Sequence, residues 1–119
     1  MRKLLSRLTL VATMFVLTGT AHAGRVGGPG TTKSVVKPYS IDSYDVKFEK
    51  DAVATVEIVG DNSTDFDCFV YDSDDNLIDQ DQNLKDSCSL LWIPKWTGYF
   101  KIKIKNLGSE ENAYTLKTN

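Results

Sequence analysis

Near the C-terminus of this chain, apolar and basic residues alternate without a break. Residues 100–105 read FKIKIK, residues 44–49 read YDVKFE, and residues 54–58 read ATVEI. A period of two places every second side chain on the same face, which is the pattern of a β-strand with one buried face and one solvated face. We expect half-buried antiparallel strands, with the lysines at 101, 103 and 105 on a solvated outer face.

Turn-forming residues separate these runs at short and regular intervals. They lie at residues 49–51, 60–62, 73–76, 94–98 and 107–109, and no stretch shows a sustained helical period with caps. Seven or eight short strands with turns about every 8 to 12 residues are typical of a β-sandwich. The sequence therefore predicts an all-β, antiparallel, jelly-roll-like β-sandwich spanning residues 34–119.

Residues 1–23 have the pattern of a secretory signal peptide. A basic start precedes an apolar run over residues 8–17, and Ala21-His22-Ala23 is a small-x-small cleavage site. The apolar run is too short for a membrane anchor, which needs about 20 residues. We expect cleavage after Ala23 and a periplasmic or secreted protein without a membrane anchor. Residues 24–33, which are rich in glycine, are predicted to form a flexible leader.

Charge and histidine content exclude several function classes. The formal net charge is −2, and loss of Arg2, Lys3 and Arg7 with the signal peptide makes it more negative, which argues against nucleic acid as a partner. His22 is the one histidine, so the exported part has no imidazole for Ser-His-Asp, Cys-His or zinc chemistry. We expect a protein that is not an enzyme.

Cys68 and Cys88 are the two cysteines of a chain predicted to enter an oxidising compartment. Without histidine, and 20 positions apart, they indicate a structural disulfide rather than a redox or metal pair. Cys68 belongs to an apolar run at residues 66–71, in which positions 66, 68 and 70 are predicted to face the core. Asp67, Phe69 and Tyr71 then point outward, and apolar residues on both faces indicate a central strand.

Four segments carry a resemblance to a known family. Residues 60–72 (GDNSTDFDCFVYD), 75–78 (DNLI), 96–104 (WTGYFKIKI) and 112–116 (NAYTL) resemble the bacterial pre-peptidase C-terminal domain family. The likeness runs from about Ser34 to Thr118. It implies a jelly-roll-like sandwich that accompanies secreted peptidases and other exported enzymes, and relatives among collagenase accessory domains bind calcium and extended protein substrates.

Acidic residues in two loop regions suggest a cation site. If the loops meet at one end of the sandwich, their carboxylates supply the oxygen ligands that Ca²⁺ prefers. The candidate metal ligands are Asp61, Asp65, Asp67, Asp79 and Asp81. The alternative is that Asp61 and Asp65 bond turn amides and that residues 73–76 form a hairpin turn. A glycosidase pair at Asp65 and Asp67 is disfavoured, because so short a sandwich offers little room for a substrate cleft.

Aromatic residues suggest a second kind of site. Phe69, Tyr71, Trp92 and Trp96 are the candidate ligand-binding residues, because aromatic platforms with polar neighbours bind sugars and peptides. The alternative for each is packing in the core or at a corner. The resulting hypothesis is a monomeric, non-catalytic accessory or binding module, with calcium as its one candidate cofactor, that contacts protein or polysaccharide. The competing hypothesis is a purely structural or envelope-stress protein with no specific ligand.

Overall fold

The computed structural model describes residues 24–119, which form eight antiparallel strands. These are β1 (Gly30–Val36), β2 (Ile41–Phe48), β3 (Ala54–Val59), β4 (Phe66–Tyr71), β5 (Leu77–Asp81), β6 (Ser87–Trp92), β7 (Gly98–Asn106) and β8 (Asn112–Thr118). The described residues include no helix with the length and apolar character of a membrane span. The predicted signal peptide, residues 1–23, lies outside the described residues.

The strands form two four-stranded sheets. The first sheet has the order β1-β8-β3-β6, and the second has the order β2-β7-β4-β5. The pairs β1·β8, β2·β7, β3·β6 and β4·β5 show a long antiparallel ribbon wound on itself, which is the jelly-roll arrangement. The all-β sandwich predicted from the alternating pattern is thus confirmed.

The inward positions of the alternating strands form one core between the sheets. Phe48, Phe66, Ile58, Ile102 and Ile104 are fully buried or nearly so. The side chains between them along each strand are partly or fully exposed. The period of two therefore decides burial along the chain, as the sequence predicts.

A disulfide between Cys68 and Cys88 crosses this core. Cys68 lies on β4 in the second sheet and Cys88 on β6 in the first, with 6.2 Å between their Cα atoms. The predicted pairing is confirmed, and the bond joins facing strands of the two sheets. β4 lies between β7 and β5, so the prediction of a central strand is also correct.

The predicted flexible leader over residues 24–33 is wrong. β1 begins at Gly30, and its residues 30–33 pair with the last residues of β8. Upstream, the Arg25 amide donates to the Asn119 carbonyl and the Val26 amide to the Lys47 carbonyl, each at 2.9 Å. Gly24 and Gly27 have positive φ angles, which glycine adopts readily because it has no Cβ. Backbone hydrogen bonding, rather than side-chain burial, orders this segment.

Candidate functional site

The structure does not bring the five predicted metal ligands together. Within residues 24–119, no three His, Cys, Asp or Glu side chains are arranged to hold a metal ion. Asp67 lies on the outer face of the second sheet, whereas Asp61 and Asp65 lie in the loop between β3 and β4. The predicted convergence of these carboxylates with Asp79 and Asp81 is therefore wrong, because each group has a different place in the fold.

Asp61 accepts hydrogen bonds from backbone amides. Its carboxylate accepts hydrogen bonds from the amides of Ser63 and Ala113, both at 3.0 Å. Hydrogen bonding to the Ser63 side chain, followed by the bond from the Ala113 amide, lowers the pKa of Asp61. The turn role that the sequence left as an alternative is the one that the structure supports for this residue.

Asp79 and Asp81 cap the free edge of a strand in the other sheet. The Asp81 carboxylate accepts from the Ser89 amide at 3.0 Å, and the Asp79 carboxylate accepts from the Leu91 amide at 2.9 Å. Both amides belong to β6, the edge strand of the first sheet, and both carboxylates belong to β5, the edge strand of the second. These acids close one side of the sandwich with side-chain hydrogen bonds.

The β3–β4 and β5–β6 loops do meet at one end of the sandwich. The side chains that join them, Asn112 and Asp86, were not among the predicted site residues. Asn112 is fully buried; its side-chain oxygen accepts from the Asp61 amide at 2.9 Å, and its amide nitrogen donates to Asp86 at 3.2 Å. Gly60 lies against both side chains, and a Cβ there would come within 2.4 Å of Asp86 Oδ2. The contacts join the β3–β4 and β5–β6 loops to β8 and leave the Asn112 amide fully used.

Trp92 is a core residue. It is 6% exposed, and its ring centroid lies 4.8 Å from that of Phe48 in an edge-on contact. Its indole nitrogen is buried without a hydrogen-bond partner among the described residues. The interpretation of Trp92 as an exposed platform is therefore wrong, and core packing, the stated alternative, is correct.

Trp96 lies at the corner beside Trp92. It is 41% exposed, and its ring stacks on Phe100 at 6.4 Å with an interplanar angle of 18°. A cavity of about 280 Å³ next to both indoles is also lined by Ile78 and Pro94. The position combines corner packing with an exposed ring.

Phe69 and Tyr71 lie on the outer face of the second sheet, as predicted. Both are half-buried, and their ring centroids are 6.3 Å apart with an interplanar angle of 33°. Lys103 Nζ lies 5.0 Å from the centre of the Tyr71 ring, within the range of a cation–π contact. Two neighbouring rings therefore form a platform next to a cation.

The sheet pairing adds polar groups to this platform that the sequence alone did not identify. Lys103 is opposite Ser43 on one side and Phe69 on the other, and Phe69 is opposite Gln80. One row across all four strands thus presents a hydroxyl, an ammonium, a ring and an amide. We call these four residues the polar–aromatic row. The alternating pattern predicted that Lys103 faces outward, but the residues beside it depend on strand register.

The outer face of the first sheet has a different composition. Its strands present small, charged or aliphatic side chains and, among the described strand residues, no aromatic ring. The outward positions of β3, β6 and β8 are Thr55, Glu57, Val59, Ser87, Ser89, Leu91, Ala113, Thr115 and Lys117. By contrast, the second sheet presents Phe69, Tyr71 and Tyr99, so among the described strands the outward-facing aromatic residues are confined to one sheet.

A tyrosine pair between the sheets was also missed by the sequence analysis. The Tyr114 hydroxyl donates to the Asp42 carboxylate at 2.6 Å and is hydrogen-bonded to the Tyr44 hydroxyl. Burial, followed by the hydrogen bonds with Asp42 and Tyr44, raises the pKa of Tyr114. Because Tyr114 is on β8 and the other two are on β2, the group joins the sheets on the side away from the disulfide.

Comparison of the sequence with family models and with curated proteins finds no significant match.

Proposed function

We propose that this chain is a non-catalytic, exported binding module whose ligand surface is the outer face of the second sheet, and that its ligand is a polysaccharide. The observation that carries the proposal is the adjacent pair of half-buried rings, Phe69 and Tyr71, on an open sheet face. Sugar rings present apolar C–H faces that pack on aromatic rings, and their hydroxyls need hydrogen-bonding groups close by.

The polar–aromatic row supports a polysaccharide over a folded protein as the ligand. Ser43, Lys103 and Gln80 place a hydroxyl, an ammonium and an amide in line with the Phe69 ring. Strand spacing makes the row about 14 Å wide, which suits an extended chain lying across the sheet. Protein interfaces instead have a desolvated apolar centre, which this mixture of polar groups and rings does not offer.

Absence of catalysis is part of the proposal, and the roles of the titratable groups support it. Asp61 and Asp72 have lowered pKa values because they accept hydrogen bonds in turns, and Tyr114 is buried between the sheets. These groups lie at different places in the fold and do not surround a common cavity. Export rests on the signal-peptide pattern, and the accessory role is what the resemblance to the pre-peptidase C-terminal domain family implies.

The test is binding to an array of neutral and acidic polysaccharides, followed by titration of the polymers that bind. Phe69→Ala and Tyr71→Ala should each weaken binding by up to about tenfold, because each removes a stacking surface. Leu91→Ala is the matched control, since Leu91 is 61% exposed on the outer face of the first sheet and its truncation should leave affinity unchanged. No binding to any polymer would refute the proposal and leave the purely structural protein as the better account.

A further inference from the structure

Three rows across the outer face of the second sheet each contain one lysine of β7, and in two of these rows a carboxylate lies opposite that lysine. A fourth row has Lys47 of β2 opposite Tyr99, with Lys47 Nζ 5.9 Å from the centre of the tyrosine ring. Lys101 is opposite Asp45, with 3.6 Å between Nζ and Oδ1. Lys105 is opposite Asp67 in the register of β7 and β4. Each of these lysines therefore has a carboxylate directly across from it.

Lys103, in the row between them, has no carboxylate opposite. Its cross-strand neighbours are Ser43 and Phe69, and its ammonium lies beside the Tyr71 ring. The polar–aromatic row consequently has one uncompensated positive charge, on a chain whose formal net charge is −2. This charge lies next to the two rings that carry the proposed function.

From this charge balance we infer that the ligand is an acidic polysaccharide, one whose sugars bear carboxylates, as uronic acids do. The inference rests on the proposed function. A sugar ring stacks on Phe69, its carboxylate lies at the Lys103 ammonium, and its hydroxyls bond Gln80 or Ser43. Repetition along the polymer offers many equivalent carboxylates to the same lysine, so a weak single contact is strengthened by the higher effective concentration.

Nucleic acid is a poorer match for this surface. Its affinity depends on several lysines or arginines that each neutralise a phosphate, whereas two of the three lysines on β7 already face carboxylates. The row instead has one cation beside two rings, which suits a sugar ring that itself bears a carboxylate.

The experiment compares polygalacturonate with the same polymer after methyl esterification, which keeps the rings and removes the charge. We expect the purified protein to bind the acid form at least tenfold more tightly, with the difference shrinking as salt rises. Lys103→Gln should remove that difference and Lys103→Arg should restore it. Lys33→Gln is the matched control, because Lys33 is an exposed lysine on the first sheet. This variant should keep the wild-type preference for the acid form.

Each outcome decides between the two proposals. Equal affinity for the two forms of the polymer would overturn the acidic-ligand inference and leave a ring-binding module. Binding to neither form, nor to any other polymer, would overturn both. Equally tight binding of polyglutamate would overturn the inference in favour of an acidic peptide, because that polymer has the carboxylates without the sugar rings. A preserved preference for the acid form in Lys103→Gln would show that this lysine is not the cation involved.

Discussion

Both carboxylate oxygens of Asp72 accept hydrogen bonds within one turn. The residue follows β4 and is 4% exposed, and its Oδ1 accepts from the amides of Asp74 and Asn76, both at 2.9 Å. Its Oδ2 accepts from the Asn76 side chain at 3.1 Å. The hydrogen bond from the Asn76 amide is the main cause of the lowered pKa of Asp72, and burial opposes it. Asp72 therefore caps the β4–β5 turn.

Asp72 should make the stability of the domain depend on pH. Its pKa is lowered in the folded state, so its contribution is complete above the pKa of about 3.9 expected in the unfolded chain. The contribution is lost as pH falls from about 5 through the folded-state pKa. We expect the wild type to have a higher urea midpoint of unfolding than Asp72→Asn at pH 7. The difference between the two midpoints should become smaller by pH 2.5.

Asp74→Asn is the control for that series, because Asp74 is an exposed residue of the same turn. Its urea midpoint should follow that of the wild type across the range. A gap between wild type and Asp72→Asn that stays constant from pH 7 to pH 2.5 would show that the carboxylate is not what stabilises the turn.

At the scale of the strand, the two edge strands of the first sheet are protected in different ways. On one side, Asp79 and Asp81 of β5 bond the free amides of β6. On the other side, β1 is an edge strand in which all residues from Thr31 to Val35 are exposed. Edge strands present unpaired backbone groups to other chains, and charged side chains limit such pairing. The carboxylates protect β6, and Lys33 is the charged residue within β1.

Removal of the two carboxylates should expose the β6 edge. Asp79→Ala with Asp81→Ala leaves the Ser89 and Leu91 amides without these partners, at a cost of about 2 kcal/mol of unfolding free energy. It should also promote self-association at high concentration, measured by light scattering.

The matched control replaces both residues by asparagine. Asp79→Asn with Asp81→Asn keeps an acceptor oxygen at each position, so the loss of stability should be smaller and the protein should stay dispersed. An alanine variant that is as stable and as dispersed as wild type would mean that these bonds do not protect the edge.

For the whole molecule, specific side-chain contacts join the two sheets on both sides of the hydrophobic core. The Cys68–Cys88 disulfide joins β4 to β6 on one side of the core, and the Tyr114 hydroxyl reaches Asp42 and Tyr44 of β2 on the other. Between them lie the inward aliphatic and aromatic side chains. One side of the sandwich thus has the disulfide together with the hydrogen bonds from Asp79 and Asp81 to β6, and the other side has the hydrogen bonds of Tyr114.

Reduction of the disulfide should lower the melting temperature considerably. A cross-link between residues 20 positions apart stabilises by about 3 kcal/mol in the chain-entropy account. For a domain of this size, that corresponds to a fall of more than about 10 °C, measured by circular dichroism with and without reductant.

Cys68→Ala with Cys88→Ala provides the control for that measurement. This variant should melt at a lower temperature than oxidised wild type and should not respond to reductant. If oxidised and reduced wild-type protein melted together, the disulfide would have no stabilising role.

The alternating pattern by itself determined that the chain is built of strands and which side of β2, β3, β4 and β7 is buried, but it did not identify the first residues of β1. Those properties depend on the side-chain period along one segment, which is local. The disulfide could also be predicted, because only two cysteines are present. The outward positions of Phe69 and Tyr71 followed from the same period, since Phe66, Cys68 and Val70 on the other face are fully buried.

Only the tertiary structure decided which residues lie beside one another. Lys101, Lys103 and Lys105 are equivalent in the sequence, and the register of β7 with β2 and β4 makes Lys103 the one without a carboxylate opposite. In the same way, Asp79 and Asp81 were assigned to a cation site because their partners, the amides of β6, belong to another sheet. Side-chain type and spacing give the faces of a strand, whereas cross-strand neighbours are set by long-range pairing, which no local pattern encodes.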